Sequence, residues 1–266
     1  MLTILQQLIL GILQGVTEWI PLSSSAVLTL VMTNFFGITD LHDLITTALF
    51  FHLGTFLAAL IYFRSDVKKI FRTLFHYKRA KPESKKIFNF LLVSTMISGI
   101  LGYLLISLFF SFESSLEFTG KTISFFVGIF LLFTGIIQIK IHNKGIRKEE
   151  DLERKDGVFL GLAQAFSALP GISRSGITVS SLLLKKFDSE SALKLSFLMS
   201  LPIVLLGNIV LNLEDLIFTG SAIYGLLASF VFGIITIHFL MNLSRKINFG
   251  WFVIVFSVLM ILSVLI

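Results

Sequence analysis

The sequence predicts an all-α polytopic membrane protein, with six transmembrane helices and two re-entrant helix hairpins arranged as an inverted-topology repeat (3+3). Three observations lead there. Of the 266 residues, 55% are hydrophobic and 14% charged, whereas a soluble domain carries about a quarter charged residues. Several windows free of Asp, Glu, Lys and Arg approach the roughly 20 apolar residues that a helix needs to cross a bilayer core. Two further stretches, alike in sequence, are apolar at their ends and polar with a helix breaker in the middle. A soluble enzyme, a secreted domain and a disordered tail are excluded. The absence of cysteine removes disulfide frameworks, thiolate metal sites and cysteine nucleophiles.

The first polar-centred stretch, 1–30, contains Gln14, Glu18 and Pro21 with Ser23, Ser24 and Ser25, as expected of a helix–loop–helix hairpin. It has neither the basic head nor the small-residue cleavage site of a signal peptide. Spans are expected at 44–63, 87–112 and 122–139. The second hairpin, 157–184, contains Gln164, Pro170, Gly171 and Arg174, and spans follow at 195–213, 216–244 and 249–266. Loop 64–86 holds nine Lys and Arg, loop 140–155 six, and 245–246 two; opposite them, 111–121 holds one and 214–215 none. Positive charge marks the cytoplasmic side, so the basic loops are expected inside. Alternation then puts the first hairpin and the C-terminus outside, with the second hairpin entering from inside. The net charge of +6 is thus a topology signal and not a nucleic-acid footprint, and loop 64–86 is expected to touch acidic lipid heads.

The two hairpins head an internal repeat. Gly11-Ile-Leu-Gln14 recurs as Gly161-Leu-Ala-Gln164, an offset of 150, and Pro21…Ser24 recurs as Pro170…Ser173, an offset of 149. The chain reads as one transmembrane domain: repeat 1 at about 1–140, a cytoplasmic linker at about 140–156, and repeat 2 at about 157–266. Each copy is one hairpin plus three spans. Three is odd, so the second copy inserts upside down, the plan in which broken helices meet near the midplane to form a site.

Fifteen of the sixteen acids lie in loops or at span edges; Glu18 does not. Among the bases, Arg174 is the matching exception. A charge at membrane depth costs about 2.5–3.5 kcal/mol even on the lenient insertion scale, so an acid and a base at related places in the two repeats point to a shared polar site. Gln14 and Glu18 are four apart and share a helix face. A carboxylate beside an amide oxygen suits a hard divalent ion such as Mg²⁺, or Ca²⁺, and a carboxylate alone can serve as general base. In Pro170-Gly-Ile-Ser-Arg-Ser-Gly-Ile-Thr178 the breaker frees backbone N–H groups, Ser173, Ser175 and Thr178 add hydroxyls, and a helix N-terminus follows. That assembly is an anion site, with Arg174 able to grip phosphate oxygens in pairs. Pro21-Leu-Ser-Ser-Ser25 is its uncharged counterpart, where a serine could be a nucleophile if a base is near. His52, inside a span, reads as a packing residue with one hydrogen-bond partner, and His238 as structural.

These residues resemble a known family. Gln14-Gly-Val-Thr-Glu18-Trp-Ile-Pro-Leu-Ser-Ser-Ser25 is similar to the (E/Q)xxxE motif and proline–serine continuation of the undecaprenyl-diphosphate phosphatase (bacitracin-resistance protein) family, and 170–178 to its PGxSRSxxT motif. The resemblance covers nearly the whole chain. It implies a membrane phosphatase that removes one phosphate from a C55 polyprenyl diphosphate, recycling the lipid carrier for cell-envelope and peptidoglycan synthesis, with bacitracin resistance as an associated trait. It implies a divalent metal near Glu18 and Gln14, Arg174 clamping the diphosphate, and Ser24 at the place of a proposed nucleophile. Ser23, Ser25, Gly171, Ser173, Ser175 and Thr178 would line the substrate. Many members carry a histidine shortly after the serines, where this chain has Val27. Either Glu18 activates the nucleophile, or another histidine such as His52 substitutes, or the histidine is dispensable; Glu18 is favoured.

The expected activity is therefore lipid diphosphate hydrolysis in the plasma membrane, with the site opening to the extracytoplasmic side and the attacker either water or Ser24. A homodimer is compatible with the sequence. The rival is a transporter or flippase of a lipid phosphate or other anion, because inverted repeats with broken helices are its usual architecture.

Overall fold

The computed structural model describes residues 2–21, 23–38, 40–113, 145–169, 172–211 and 222–244, together with single residues between 129 and 139 and between 251 and 262. Among these, every regular element is helical. The expected spans 122–139 and 249–266 lie outside the continuously described residues.

α1 (Ile4–Thr17) opens on a capping box: Thr3 Oγ1 accepts from the Gln6 amide at 3.3 Å, and Gln6 Oε1 accepts from the Thr3 amide at 2.8 Å. The chain turns after Glu18 and re-enters a helix as α2 (Ser24–Phe36). Gly37, at φ +69°, ends α2 in the left-handed conformation that favours glycine. Asp40 caps α3 (Leu41–Tyr62) by accepting from the Asp43 amide at 2.9 Å. α4 (Arg64–Phe75) buries Val67 and Thr73 and exposes Phe71, Leu74 and Phe75 among its basic residues. α5 (Pro82–Glu113) follows, with proline at its first position, where the missing N–H costs nothing.

α6 (Arg154–Ala165) ends in a 3₁₀ turn at Phe166–Ala168, and α7 (Arg174–Leu184) starts from a Ser173 cap. α8 (Ser189–Leu211) and α9 (Ala222–Ser244) follow. α8 begins six residues before the apolar window that announced it. Asp188 caps it through the Ser191 amide at 2.8 Å, and Lys194 is neutralised by Asp66 at 3.1 Å and Glu149 at 2.9 Å. A charge that is paired inside the protein does not have to end the helix.

Four helical segments, Asp43–Tyr62, Pro82–Leu108, Ser189–Val210 and Ala222–Leu243, are long and apolar enough to cross a membrane. They expose wide apolar faces, such as Met96, Ile100, Tyr103, Leu104 and Leu108 on α5, as expected of surfaces solvated by lipid. The protein is thus a polytopic membrane protein, helical in every regular element among the described residues.

The packing is an exchange between the halves. α1 lies along α9, and α6 lies along α5, so each of these short helices rests on a long helix from the other half of the chain; α3 and α8 pack together between them. The repeated glycines explain the closeness. A Cβ on Gly11 would strike the backbone of Gly225, and one on Gly161 would come within 2.8 Å of Ile97. Small residues permit such close helix crossings in lipid.

Candidate active site

The two broken helix pairs bring four elements to one carboxylate. α1 carries Gln14, whose carbonyl accepts from the Glu18 amide at 3.1 Å, so the helical path persists to Glu18 and keeps both side chains on one face. Pro21 prevents further helix, the chain reverses, and Ser24 starts α2 facing back. Arg174 is the first residue of α7, and α3 contributes His52 from the side.

Glu18 is buried and accepts from all of them. Its Oε1 takes a hydrogen bond from Arg174 Nη2 at 2.5 Å. Its Oε2 takes Ser24 Oγ at 2.7 Å, Gln14 Nε2 at 3.0 Å and His52 Nε2 at 3.1 Å. The lone acid and lone guanidinium of the sequence therefore form a direct ion pair. Arg174 is further held by its Nη1 on the Ser196 carbonyl at 3.3 Å and by Trp19, whose ring centre lies 5.8 Å from the guanidinium carbon. His52 places Nδ1 2.6 Å from the Ala48 carbonyl and Nε2 3.5 Å from Ser24 Oγ. It is not a packing residue with one partner, as its sequence context suggested. An ionisable group in an apolar span is a functional signal, and applying that rule to His52 as strictly as to Glu18 would have found it. Ser196 and Trp19 carried no comparable signal.

Several expected substrate contacts are committed elsewhere. Ser173 Oγ caps α7 by accepting from the Gly176 amide at 3.0 Å. Ser175 Oγ donates to the Ile20 carbonyl at 2.8 Å, and Thr178 Oγ1 pairs with Ser196 Oγ at 2.6 Å while bonding the Arg174 carbonyl at 2.8 Å. The reason is general: helix ends and turns inside lipid must satisfy their polar groups within the protein. These hydroxyls join the two hairpins and α8 to each other. Ser23 and Ser25 pair at 3.2 Å, as Ser173 and Ser175 do at 3.2 Å. Gly171 lies outside the described residues.

The two serine pairs, Ser23/Ser173 and Ser25/Ser175, are 150 residues apart, as Gly11 and Gly161 are. At that offset Ser24 corresponds to Arg174, and each touches one oxygen of Glu18, while Glu18 corresponds to Ala168.

A divalent ion needs oxygen donors with lone pairs to spare. Glu18 already accepts four donors, two of them on cationic or ionisable groups. Gln14 turns its nitrogen to the carboxylate, because its oxygen there would oppose another acceptor; the buried Gln14 Oε1 has no hydrogen-bond partner among the described residues. No group of three or more His, Asp or Glu able to hold a metal occurs among the described residues. In this arrangement Gln14 and Glu18 do not fit as a metal-chelating pair.

Comparison with known proteins places this geometry in a lineage. The model of the family described as bacitracin resistance protein BacA matches residues 7–262. A protein named undecaprenyl-diphosphatase from Methanococcoides burtonii is 40% identical over 271 residues, covering 99% of each chain. One of the same name from Methanothrix thermoacetophila is 35% identical over 256 residues, covering 93% of this chain and 92% of its own. Undecaprenyl-diphosphatase 1 of Shouchella clausii is 35% identical over 266 residues, covering 94% and 92%. With a match along nearly its whole length and relatives well above 30% identity, the chain belongs to the BacA bacitracin resistance protein family.

Proposed function

We propose that this protein is an integral membrane phosphatase that hydrolyses undecaprenyl, or a related polyprenyl, diphosphate to the monophosphate and inorganic phosphate, returning the lipid carrier to cell-envelope glycan synthesis. The observation that carries this reading is the buried cluster in which a serine hydroxyl and a guanidinium reach the two oxygens of one carboxylate, at 2.7 Å and 2.5 Å. The names of the relatives supply the substrate class.

Phosphoryl transfer asks a protein mainly for positioning and charge stabilisation. Glu18 orients the Ser24 hydroxyl. Arg174 has five donors and spends one on Glu18 and one on Ser196, which leaves the rest of its fork for phosphate oxygens. Ser24 Oγ attacks the terminal phosphorus in line as its proton passes to Glu18 Oε2, which it already faces at 2.7 Å; the new O–P bond replaces the one to the bridging oxygen, and polyprenyl monophosphate leaves with that electron pair. Water then attacks the phosphoserine, the Oγ–P bond breaks, phosphate is released, and Glu18 returns the proton to Ser24 Oγ.

The topology belongs to the same proposal. Six spans and two re-entrant hairpins in a 3+3 inverted arrangement account for the exchanged packing of α1 on α9 and α6 on α5. The charge distribution then sets the linker at 140–156 in the cytoplasm and the site towards the extracytoplasmic side, with the prenyl tail among the spans.

The test is phosphate release from polyprenyl diphosphates of several chain lengths in detergent, where no sidedness exists and transport has no meaning. Glu18→Ala and Arg174→Ala are expected to abolish release while each variant keeps a cooperative melt. Near wild-type turnover in either folded variant rejects the assignment, and a folded wild type that releases no phosphate favours the transport reading.

A further inference from the structure

We infer that α4 is a helix lying in the plane of the membrane surface, and that its outer side selectively holds acidic phospholipid headgroups. Hydropathy reads 64–86 as a basic loop between spans. The structure instead folds half of it into α4 (Arg64–Phe75), followed by a 3₁₀ turn at Tyr77–Arg79. The 12 residues of α4 are too few to cross a bilayer core, which takes about 20. The helix therefore either lies along the membrane or stands clear of it.

Its three sides decide between those arrangements. At 3.6 residues per turn, Asp66, Val67, Ile70 and Thr73 share the side that faces the protein. Val67 and Thr73 are buried, Ile70 packs against the main core, and Asp66 pairs with Lys194 of α8 at 3.1 Å. Next round the helix come Phe71, Leu74 and Phe75, exposed by 55, 52 and 75%. Large apolar side chains left this open on a helix otherwise rich in charge are the mark of insertion into the headgroup boundary. Arg64, Lys68 and Arg72 recur every four residues on the adjoining arc, all exposed and without an ion pair among the described residues. The sequence of sides, protein then apolar then basic, fixes the orientation. With α4 held against α5, the phenylalanines dip below the lipid phosphates while the basic arc lies at their level, its long stems running over apolar surface. Lys78 and Arg79 extend the cationic row around an open concavity bounded by Leu74, Phe75 and Tyr77.

Charge selects the occupant. Segment 64–86 carries nine Lys and Arg against two acids, Asp66 and Glu83, and Asp66 is already spent on Lys194. Each Lys or Arg near an acidic leaflet contributes about fivefold in association, whereas a zwitterionic leaflet offers no net counter-charge. A second copy docked about a twofold axis would set the basic arc against itself. The inference is independent of the reaction, because these side chains lie outside the Glu18 cluster.

The chain has no cysteine, so Ser65→Cys gives full-length protein a single thiol on α4 for a fluorophore. The labelled protein is placed in phosphatidylcholine nanodiscs containing a minor fraction of quencher-labelled phosphatidylglycerol or quencher-labelled phosphatidylcholine. The acidic lipid is expected to quench at least about fivefold more effectively, the preference fading at high salt as exposed charges are screened. Lys68→Gln with Arg72→Gln should bring the two lipids near parity. Phe71→Ser with Phe75→Ser should weaken quenching by both lipids as the helix lifts. Arg154→Gln with Lys155→Gln removes the same charge from exposed positions outside α4 and should keep most of the preference. Each variant is checked for a wild-type melt in detergent. Equal quenching of the wild type by both lipids overturns the inference, as does unchanged quenching in the phenylalanine pair. An equal loss in the Arg154 and Lys155 control overturns it by assigning the preference to net charge alone. Self-quenching between two labelled copies in one disc, in place of quenching by lipid, gives the face to a second copy and overturns it as well.

Discussion

Single residues in this site have been divided between chemistry and construction, and the division is testable. Ser175 looks in the sequence like a phosphate ligand, yet its hydroxyl donates to the Ile20 carbonyl of the other hairpin. A buried carbonyl left unpaired costs about 1–3 kcal/mol. Ser175→Ala is therefore expected to lower stability by that amount, read as a lower thermal midpoint in detergent, with KM for the diphosphate unchanged. A raised KM at constant stability would return Ser175 to the substrate. Glu18 and Arg174 differ in kind. Removing one partner of a buried pair strands the other at a cost of about 3–5 kcal/mol, so conservative variants are needed beside the alanines. Arg174→Lys retains the charge but not the fork that spans Glu18 and the Ser196 carbonyl, and a point charge is not equivalent at a bidentate site. It is expected to stay folded and lose most turnover.

Between elements, the site depends on how closely α1 approaches α9, because α1 carries Gln14 and Glu18. Gly11 makes that approach: a side chain there meets the Gly225 backbone, which cannot yield. Gly11→Val is expected to push α1 away, shift Glu18 from Ser24 and Arg174, and lower both the thermal midpoint and phosphate release. Overpacking of this kind typically costs about 1–3 kcal/mol. Gly99 on α5 is the control, since a Cβ there meets nothing within 4 Å. Gly99→Ala should match the wild type or exceed it slightly through its better helix propensity. Equal losses at both positions would show that the crossing of α1 on α9 is not what sets the effect at Gly11.

Across the whole molecule, the segment before α6 is anchored at the α7–α8 junction. Arg147 forks onto the buried Asp156 at 2.6 and 3.3 Å, and stacks its guanidinium 4.3 Å from the Phe187 ring centre. Burial pushes the Asp156 carboxyl up, but the Arg147 hydrogen bonds and the Glu153 amide outweigh it and hold the group below the usual carboxylate range. A carboxylate depressed in this way stabilises the fold above the unfolded value, near 3.9, and the contribution is lost as pH falls through the folded value. The thermal midpoint is expected to be insensitive to this pair between about pH 5 and 7 and to fall below about pH 4. Asp156→Ala should cost about 3–5 kcal/mol at neutral pH and remove this part of the acid sensitivity. An unchanged midpoint at pH 7 would mean that the anchor contributes little.

Much of this molecule is one-dimensional information. Hydropathy announces α3, α5, α8 and α9, because a helix in lipid must be apolar over its own length whatever it packs against. The isolation of Glu18 and Arg174 announces the site, because an unpaired charge is too costly to leave at that depth. The motif resemblance announces the family for the same reason: its residues are neighbours in the chain. What escaped is whatever depends on a partner from elsewhere. His52 looks inert until α3 is laid beside the hairpin; Ser173, Ser175 and Thr178 look free until helix ends claim them; and Lys194 looks like a helix stop until Asp66 and Glu149 neutralise it. The same limit hid the metal mismatch, since Gln14 and Glu18 have the spacing of a ligand pair and only packing showed their oxygens to be spoken for or turned away. Hydrogen bonds saturate, so a donor's role is set by which acceptor reaches it first in three dimensions.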